Sequence, residues 1–210
     1  MILLVTHGLP TIIRHRTPNL GRLLQPRHYN RAKETALGGI TWAADNDCFQ
    51  GLDTDAYLRM LDALAGLPAC RFCVVPDVVA DHHATLELWH QWAPIVRDAG
   101  LPPAFVLQDG IPGPDAIPPD AAAVFIGGST AFKLGEDAHA CVDAAKARGL
   151  WVHMGRVNSE GRIAYAASIG CDSIDGSGWS KFVDTYLARG LRAAAAPPQL
   201  RLDSTDGFVA

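Results

Sequence analysis

The chain has 210 residues, 49% hydrophobic and 19% charged, which is enough for one domain with a sizeable core. Its net charge of −4 argues against a generally basic nucleic-acid binder, and no apolar run is long enough to span a bilayer. Five scattered cysteines and no secretory leader suit a reducing cytoplasm, not a disulfide scaffold.

Ile2 to Thr6 is an apolar run and reads as a first strand. Residues 7–33 form a basic N-terminal segment: Arg14, Arg16, Arg22, Arg27, Arg31 and Lys33 fall there, and no Asp or Glu precedes Glu34. A basic end on an acidic body suggests a polyanion partner, and the same residues also fit a solvated surface loop. Pro10, Pro18 and Pro26 break this segment, leaving room for a short helix at Asn19 to Leu24. Gly39 to Ala44 reads as a second buried strand that delivers Asp45. Thr54 to Leu64 carries Tyr57, Leu58, Leu61 and Leu64 at helical spacing.

Arg71 to Pro76 is a third strand, ending at Asp77. Cys70 and Cys73 form a CxxC, but no second pair and no HxxxH completes a tetrahedral zinc set. Cys73 is therefore assigned to the strand and Cys70 to the turn before it, and no metal is expected. His83 to Arg97 reads as a helix with Leu86, Trp89, His90 and Ala93 on one face. Pro103 to Leu107 is a fourth strand, ending in Gln108-Asp109-Gly110, and a Pro-rich loop runs on to Pro119. Ala121 to Ile126 is a fifth strand, ending in Gly127-Gly128-Ser129. Asp137 to Arg148 is helical, closed by Gly149. Leu150 to Met154 is a sixth strand, ending in Gly155-Arg156, and Ser159 to Ser168 is helical. Residues 170–178 read as a short buried strand entering a glycine-rich turn, with Asp172 and Asp175 on opposite faces. A last helix is expected from about Ser180 to Arg189, and the tail 193–210 reads as a covering arm or a disordered end.

Strand–helix alternation implies a parallel sheet. Seven strands are legible, whereas a closed (β/α)8 barrel needs eight and runs to about 250 residues. The expected fold is therefore α/β, a trimmed (β/α)8 TIM-like barrel forming a single domain. Its eighth strand is hidden in the N-terminal segment or lost. A doubly wound open sheet is the alternative, but no GxGxxG follows the first strand.

In a barrel the strand ends converge on one face. That would bring Asp45, Asp77, Gln108, Gly127, Gly128, Gly155 and Asp175 around one pocket. Carboxylates accept from N–H groups and an amide donates to a carbonyl, a set that suits a flat ring such as a purine. Asp175 is a candidate for catalysis or, equally, a helix cap. Gly127-Gly128-Ser129 could cradle a phosphate. His153 reads as a satisfied core histidine, and Phe49 as core. No cofactor is expected.

These motifs resemble a family. Asp45-Asn46-Asp47-Cys48-Phe49-Gln50 is similar to the D-S-G-G-F-Q segment of queuine and archaeosine tRNA-guanine transglycosylases. Asp77 sits where that family has its base-reading aspartate. Gln108-Asp109-Gly110, Ile126-Gly127-Gly128-Ser129 and Met154-Gly155-Arg156-Val157 resemble its glutamine-glycine, I-G-G and M-G-V-G loops. Gly170-Cys171-Asp172-Ser173-Ile174-Asp175 is similar to its G-V-D-M-F-D. The chain departs from the family at Asp47-Cys48, which replaces a glycine pair, and at the inserted Asp109. The C-terminal zinc subdomain has no counterpart, and the chain therefore better resembles the phage-type DNA-guanine transglycosylases (the DpdA group).

The resemblance implies exchange of guanine in DNA for a 7-deazaguanine such as 7-cyano-7-deazaguanine. Asp175 would be the nucleophile, Asp45 the acid/base and Asp77 the reader of the guanine N–H edge. Gln108 and the Gly128 N–H would hold the carbonyl, and Met154 would stack on the base. Arg14, Arg16, Arg22, Arg27, Arg31 and Arg156 would hold flanking phosphates. Three other readings stay open: exchange in tRNA, a barrel enzyme for a phosphorylated sugar bound at Gly127-Gly128-Ser129, and a deazaguanine-binding module without catalysis.

Overall fold

Eight short apolar runs form one closed ring of parallel strands: β1 (Ile2–Val5), β2 (Leu20–Leu24), β3 (Trp42–Ala44), β4 (Cys70–Val74), β5 (Pro103–Leu107), β6 (Ala123–Ile126), β7 (Trp151–Met154) and β8 (Ser173–Asp175). The computed structural model describes residues 1–181 and 186–196. Each strand pairs with the next, and β8 closes on β1 with Asp175 beside Leu4. This is a (β/α)8 barrel.

Alternation along the strands sorts their residues into two layers. Leu4, Leu23, Ala43, Phe72, Val74, Ala104, Val106 and Ala123 form the inner cluster, with Phe125 and Trp151 packed against it. Their neighbours Leu3, Leu24, Trp42, Cys73, Phe105, Val124, Val152, Met154 and Ile174 belong to the outer core beneath the helices.

The eighth strand is β2, in the stretch expected to be a short helix. Pairing with both neighbours overrides local preference here. Gly21 permits it: a Cβ there would lie 2.6 Å from Leu4 Cδ2 and 2.8 Å from the Thr41 carbonyl. The segment around it is also regular where breaks were expected. α1 (Leu9–Arg14) carries Pro10 in its first turn, where the missing N–H costs nothing. α2 (Ala32–Leu37) ends at Gly38, and Gly39 turns the chain with a φ of +66°, so β3 is shorter than expected at its start.

α3 (Thr54–Leu64) and α4 (His82–Asp98) are capped by Asp53 and Asp81, whose side chains accept from Ala56 N and Ala84 N. α4 buries His82, Thr85, Trp89, Ala93 and Val96, and His90 is exposed, contrary to expectation. Between β5 and β6 there is no α-helix: a proline-rich loop crosses with one 3-10 turn (Pro114–Ala116). Arg148 Nη2 holds that loop at the Pro118 carbonyl, 2.8 Å away. α5 (Thr130–Lys133) and α6 (Glu136–Ala147) follow β6, and α7 (Glu160–Ser168) follows β7.

α8 (Ser177–Lys181) and α9 (Ala188–Ala195) follow β8. The helix expected at Ser180 to Arg189 crosses residues 182–185, which lie outside the described residues, as do residues 197–210 of the expected tail. Ala193 to Ala195 belong to α9, and the Met1 amino group donates to the Ala194 carbonyl at 3.4 Å. The cysteines are free thiols, and Cys70 begins β4 instead of preceding it. Among the described residues no helix is long and apolar enough to cross a membrane.

Candidate active site

The inner-facing register extends past the strand ends. Two residues beyond Leu23, Ala43, Val106, Phe125, His153 and Ser173 stand Gln25, Asp45, Gln108, Gly127, Gly155 and Asp175. A cavity of about 320 Å³ opens there, at the C-terminal mouth of the barrel. Its lining includes Gln25, Asp45, Asp77, Gln108, Gly127, Gly128, Arg156 and Asp175, with Phe49, Phe125, Val74 and Val106.

Asp45 Oδ2 accepts from Gln25 Nε2 at 2.9 Å, and Oδ1 accepts from the Asn46 N–H at 2.9 Å. Part of its surface faces the cavity, yet it is deeply enclosed. Burial, followed by the nearby Asp175 charge, pushes its carboxyl up to about 7, against the pull of Gln25. Gln25 escaped the sequence reading because β2 was read as a helix; a strand ending at Leu24 would have pointed to it.

Asp77 lies just beyond β4. Its Oδ1 accepts from Asn46 Nδ2 at 2.7 Å and its Oδ2 from Gln108 Nε2 at 2.6 Å. Burial raises its pKa and these two donors oppose the rise. Asn46, also missed, donates to the Val75 carbonyl and accepts from the Cys48 N–H, so it ties the β3 loop to the β4 loop. Asp47 takes up the left-handed backbone (φ +55°) of this loop, a conformation that glycine adopts at no steric cost. Gln108 was expected to hold a ligand carbonyl. Its Oε1 accepts from Ala80 N at 2.9 Å while Nε2 serves Asp77, so it fixes Asp77 and keeps one amide hydrogen over.

Asp175 Oδ1 accepts from His153 Nε2 at 3.0 Å and from the Arg156 N–H at 3.3 Å. His153 is fully buried, its ring between Phe72 and Phe125 at centroid distances of 5.0 and 4.7 Å. Its Nδ1 lies 2.8 Å from Ser173 Oγ, which lies 2.8 Å from Trp151 Nε1. Indole N–H only donates and a carboxylate only accepts. With Asp175 as carboxylate and the His153 ring carrying a single proton, the chain has one direction: Trp151 to Ser173, Ser173 to His153 Nδ1, His153 Nε2–H to Asp175. The expected core histidine is thus satisfied partly by a cavity-lining carboxylate. Gly155 makes room: a Cβ there would lie 2.5 Å from Phe125 Cζ and 3.3 Å from Asp175 Oδ1. Asp172, on the other parity, pairs with Lys146 at 2.8 Å, away from the cavity.

Ser129 donates to Asp109 through its N–H (2.7 Å) and its hydroxyl (2.6 Å). The inserted Asp109 thus takes the two Ser129 donors that a phosphate on the Gly127-Gly128-Ser129 turn would use. Burial works to raise the Asp109 pKa, but the Ser129 donors, its own backbone N–H and the Arg156 charge together outweigh it, and the net shift is downward. Gly128 keeps its N–H free of any hydrogen bond among the described residues and lines the cavity. Arg156, at φ +61°, donates to the Gly128 carbonyl and lays its guanidinium 5.3 Å from the centroid of Phe49, which is exposed, not core.

Further expectations fail at the site. Met154 faces the outer core and is 2% exposed, because His153 takes the inward position on β7. Arg22 is 1% exposed and holds the His7 carbonyl, Thr35 Oγ1 and Asn30 Oδ1, so it cannot grip a phosphate. The remaining basic residues divide by chain direction. Arg27 and Arg31 lie on the loop after β2, at the cavity end. Arg14 ends α1 and Arg16 donates to the Gly38 carbonyl, at the opposite end of the barrel. Among the described residues no group of three or more His, Cys, Asp or Glu side chains could hold a metal ion.

Fold and site together define a (β/α)8 barrel with a carboxylate-rich pocket at its C-terminal mouth, an arrangement compatible with an enzyme. No protein-family model and no curated protein matches the chain. Among solved structures it is similar to a mandelate oxidase mutant with a C4a-OH-FMN adduct. The identity is 15% and the TM-score 0.47, over 80% of this chain and 59% of that one, so the chain spans about three fifths of that protein's length.

Proposed function

We propose that the chain is a base-exchange glycosyltransferase acting on guanine in a nucleic-acid strand, DNA before tRNA, with a 7-deazaguanine as the incoming base. The observation that carries this reading is a division of labour between two carboxylates in one cavity. Asp45 gains and loses a proton near neutral pH, while Asp175 is fixed through one oxygen by His153 and the Arg156 N–H. One carboxylate moves the proton and the other attacks, as in retaining glycosyl transfer.

In this scheme guanine enters the cavity after leaving its stack, at a cost of a few kcal/mol. Asp77 accepts from its N–H edge, and the Gly128 N–H donates to its carbonyl. A bond forms between the Asp175 carboxylate and the anomeric carbon as the bond from that carbon to the base nitrogen breaks. Asp45 gives its proton to the departing guanine. The incoming base then returns a proton to Asp45, its ring nitrogen bonds the anomeric carbon and the ester to Asp175 breaks. Two inversions give retention at the sugar.

The test is incorporation of labelled guanine into guanine-containing DNA and, separately, into tRNA. Label in DNA that Asp175→Ala abolishes supports the proposal, and label in tRNA alone reassigns the substrate. No label in either polymer refutes base exchange.

A further inference from the structure

Phosphate recognition was expected along the basic N-terminal segment, yet Arg22 is buried and Arg14 and Arg16 lie at the far end of the barrel. A different set of cations stands beside the cavity. Lys133 on α5, Arg156 after β7 and Arg162 on α7 line one small cleft together with Thr130. Arg156 lines both this cleft and the main cavity, so the two lie side by side.

Among the described residues none of the three forms an ion pair. Lys133 is only 4% exposed and donates to the Gly155 carbonyl at 2.6 Å. Arg162 Nη2 reaches Thr130 Oγ1 at 3.5 Å, and Arg156 reaches the Gly128 carbonyl. The carboxylates nearby are already engaged: Asp109 by Ser129, Asp175 by His153, and Glu160, two residues before Arg162, by Arg189. Burial and the charges of Arg156 and Arg162 bring the Lys133 amine down to about 8, so holding these cations together carries a cost that an anion would relieve. The enclosed space is about 10 Å³, too small to swallow a phosphate, so the anion must lie across the mouth of the cleft. A strand backbone does that, and a free phosphate would sit there uncovered.

We propose that Arg156, Arg162 and Thr130, with the buried charge of Lys133 behind them, form a phosphate site for the nucleic-acid strand, gripping a phosphodiester next to the nucleotide whose base enters the cavity. The proposal rests on the base-exchange reading for the occupant of that cavity, but its test is separate. The probe is a fluorescent single-stranded guanine-containing DNA oligonucleotide, its binding followed by anisotropy over a series of salt concentrations. Removing one cation from a phosphate flattens the slope of log K against log salt by about 0.7. Arg162→Gln is expected to flatten the slope by about that amount, Arg162→Lys to restore most of it, and the melting temperature of both to stay near that of the parent chain.

A slope unchanged in Arg162→Gln overturns the site, and so does a slope that moves in Arg16→Gln instead. Competition by guanosine monophosphate that Arg162→Gln weakens as strongly as it weakens strand binding would assign the site to a lone nucleotide and overturn the strand assignment. Binding with the expected slopes but without uptake of labelled guanine keeps the phosphate site and removes the base-exchange reading.

Discussion

Asp45→Asn should make the protein more stable in alkaline than in acidic solution relative to the parent chain. Asp45 binds its proton more tightly in the folded than in the unfolded state, because burial and Asp175 lift its pKa from the ordinary 3.8 to about 7. The folded state therefore holds a proton that the unfolded state has released, throughout that window. Its stabilising contribution is complete below about pH 4 and is lost as pH rises through about 7. The full loss is about 4 kcal/mol, of which about 3 falls between pH 5 and pH 8. Asparagine has the same shape and never ionises. Gln25 can turn its amide to accept from the new NH₂, so the local hydrogen bonds survive. Urea unfolding of both proteins at pH 5 and pH 8 reads the difference. The advantage of Asp45→Asn is expected to grow with pH by about 1–3 kcal/mol, the lower end allowing for relaxation around the charge. The same variant loses base exchange. A stability difference that stays flat with pH, or shrinks as pH rises, refutes the assignment of Asp45 as the proton carrier.

His153→Phe keeps a ring between Phe72 and Phe125 but removes the donor to Asp175 Oδ1. Loss of a hydrogen bond to a charged group predicts exchange slowed by about 10- to 100-fold in single turnover, and an unchanged rate would show that His153 only packs. Gly155→Ala drives a Cβ against Phe125 and Asp175 and is expected to lower both the melting temperature and the exchange rate. Full activity at an unaltered melting temperature would disprove the close fit. Arg22→Met removes the donors to the buried Thr35 Oγ1 and to the part-buried His7 carbonyl and Asn30 Oδ1 and should destabilise folding by about 2 kcal/mol, measured by urea unfolding, while leaving the salt dependence of oligonucleotide binding intact.

The sequence by itself determined the repeating strand–helix order, and with it the parallel barrel and the face on which the polar residues collect. Chain order alone places Asp45, Asp77, Gln108, Gly127 and Asp175 at strand ends, because in a parallel sheet every strand runs the same way. The departures have one physical source. Parallel barrel strands are buried on both faces, so their sequences are apolar throughout and carry no alternation that marks inside from outside. Trp151-Val152-His153-Met154 is such a run. Only closure of β7 between β6 and β8 decides that His153 faces Asp175 and Met154 faces the helices. Leu20-Gly21-Arg22-Leu23-Leu24 is another: its identity as a strand comes from pairing with residues on both sides, some of them about twenty positions away. That pairing buries Arg22 and delivers Gln25 to Asp45. Local composition could not report it, because the partners that select the strand are brought alongside only when the ring closes.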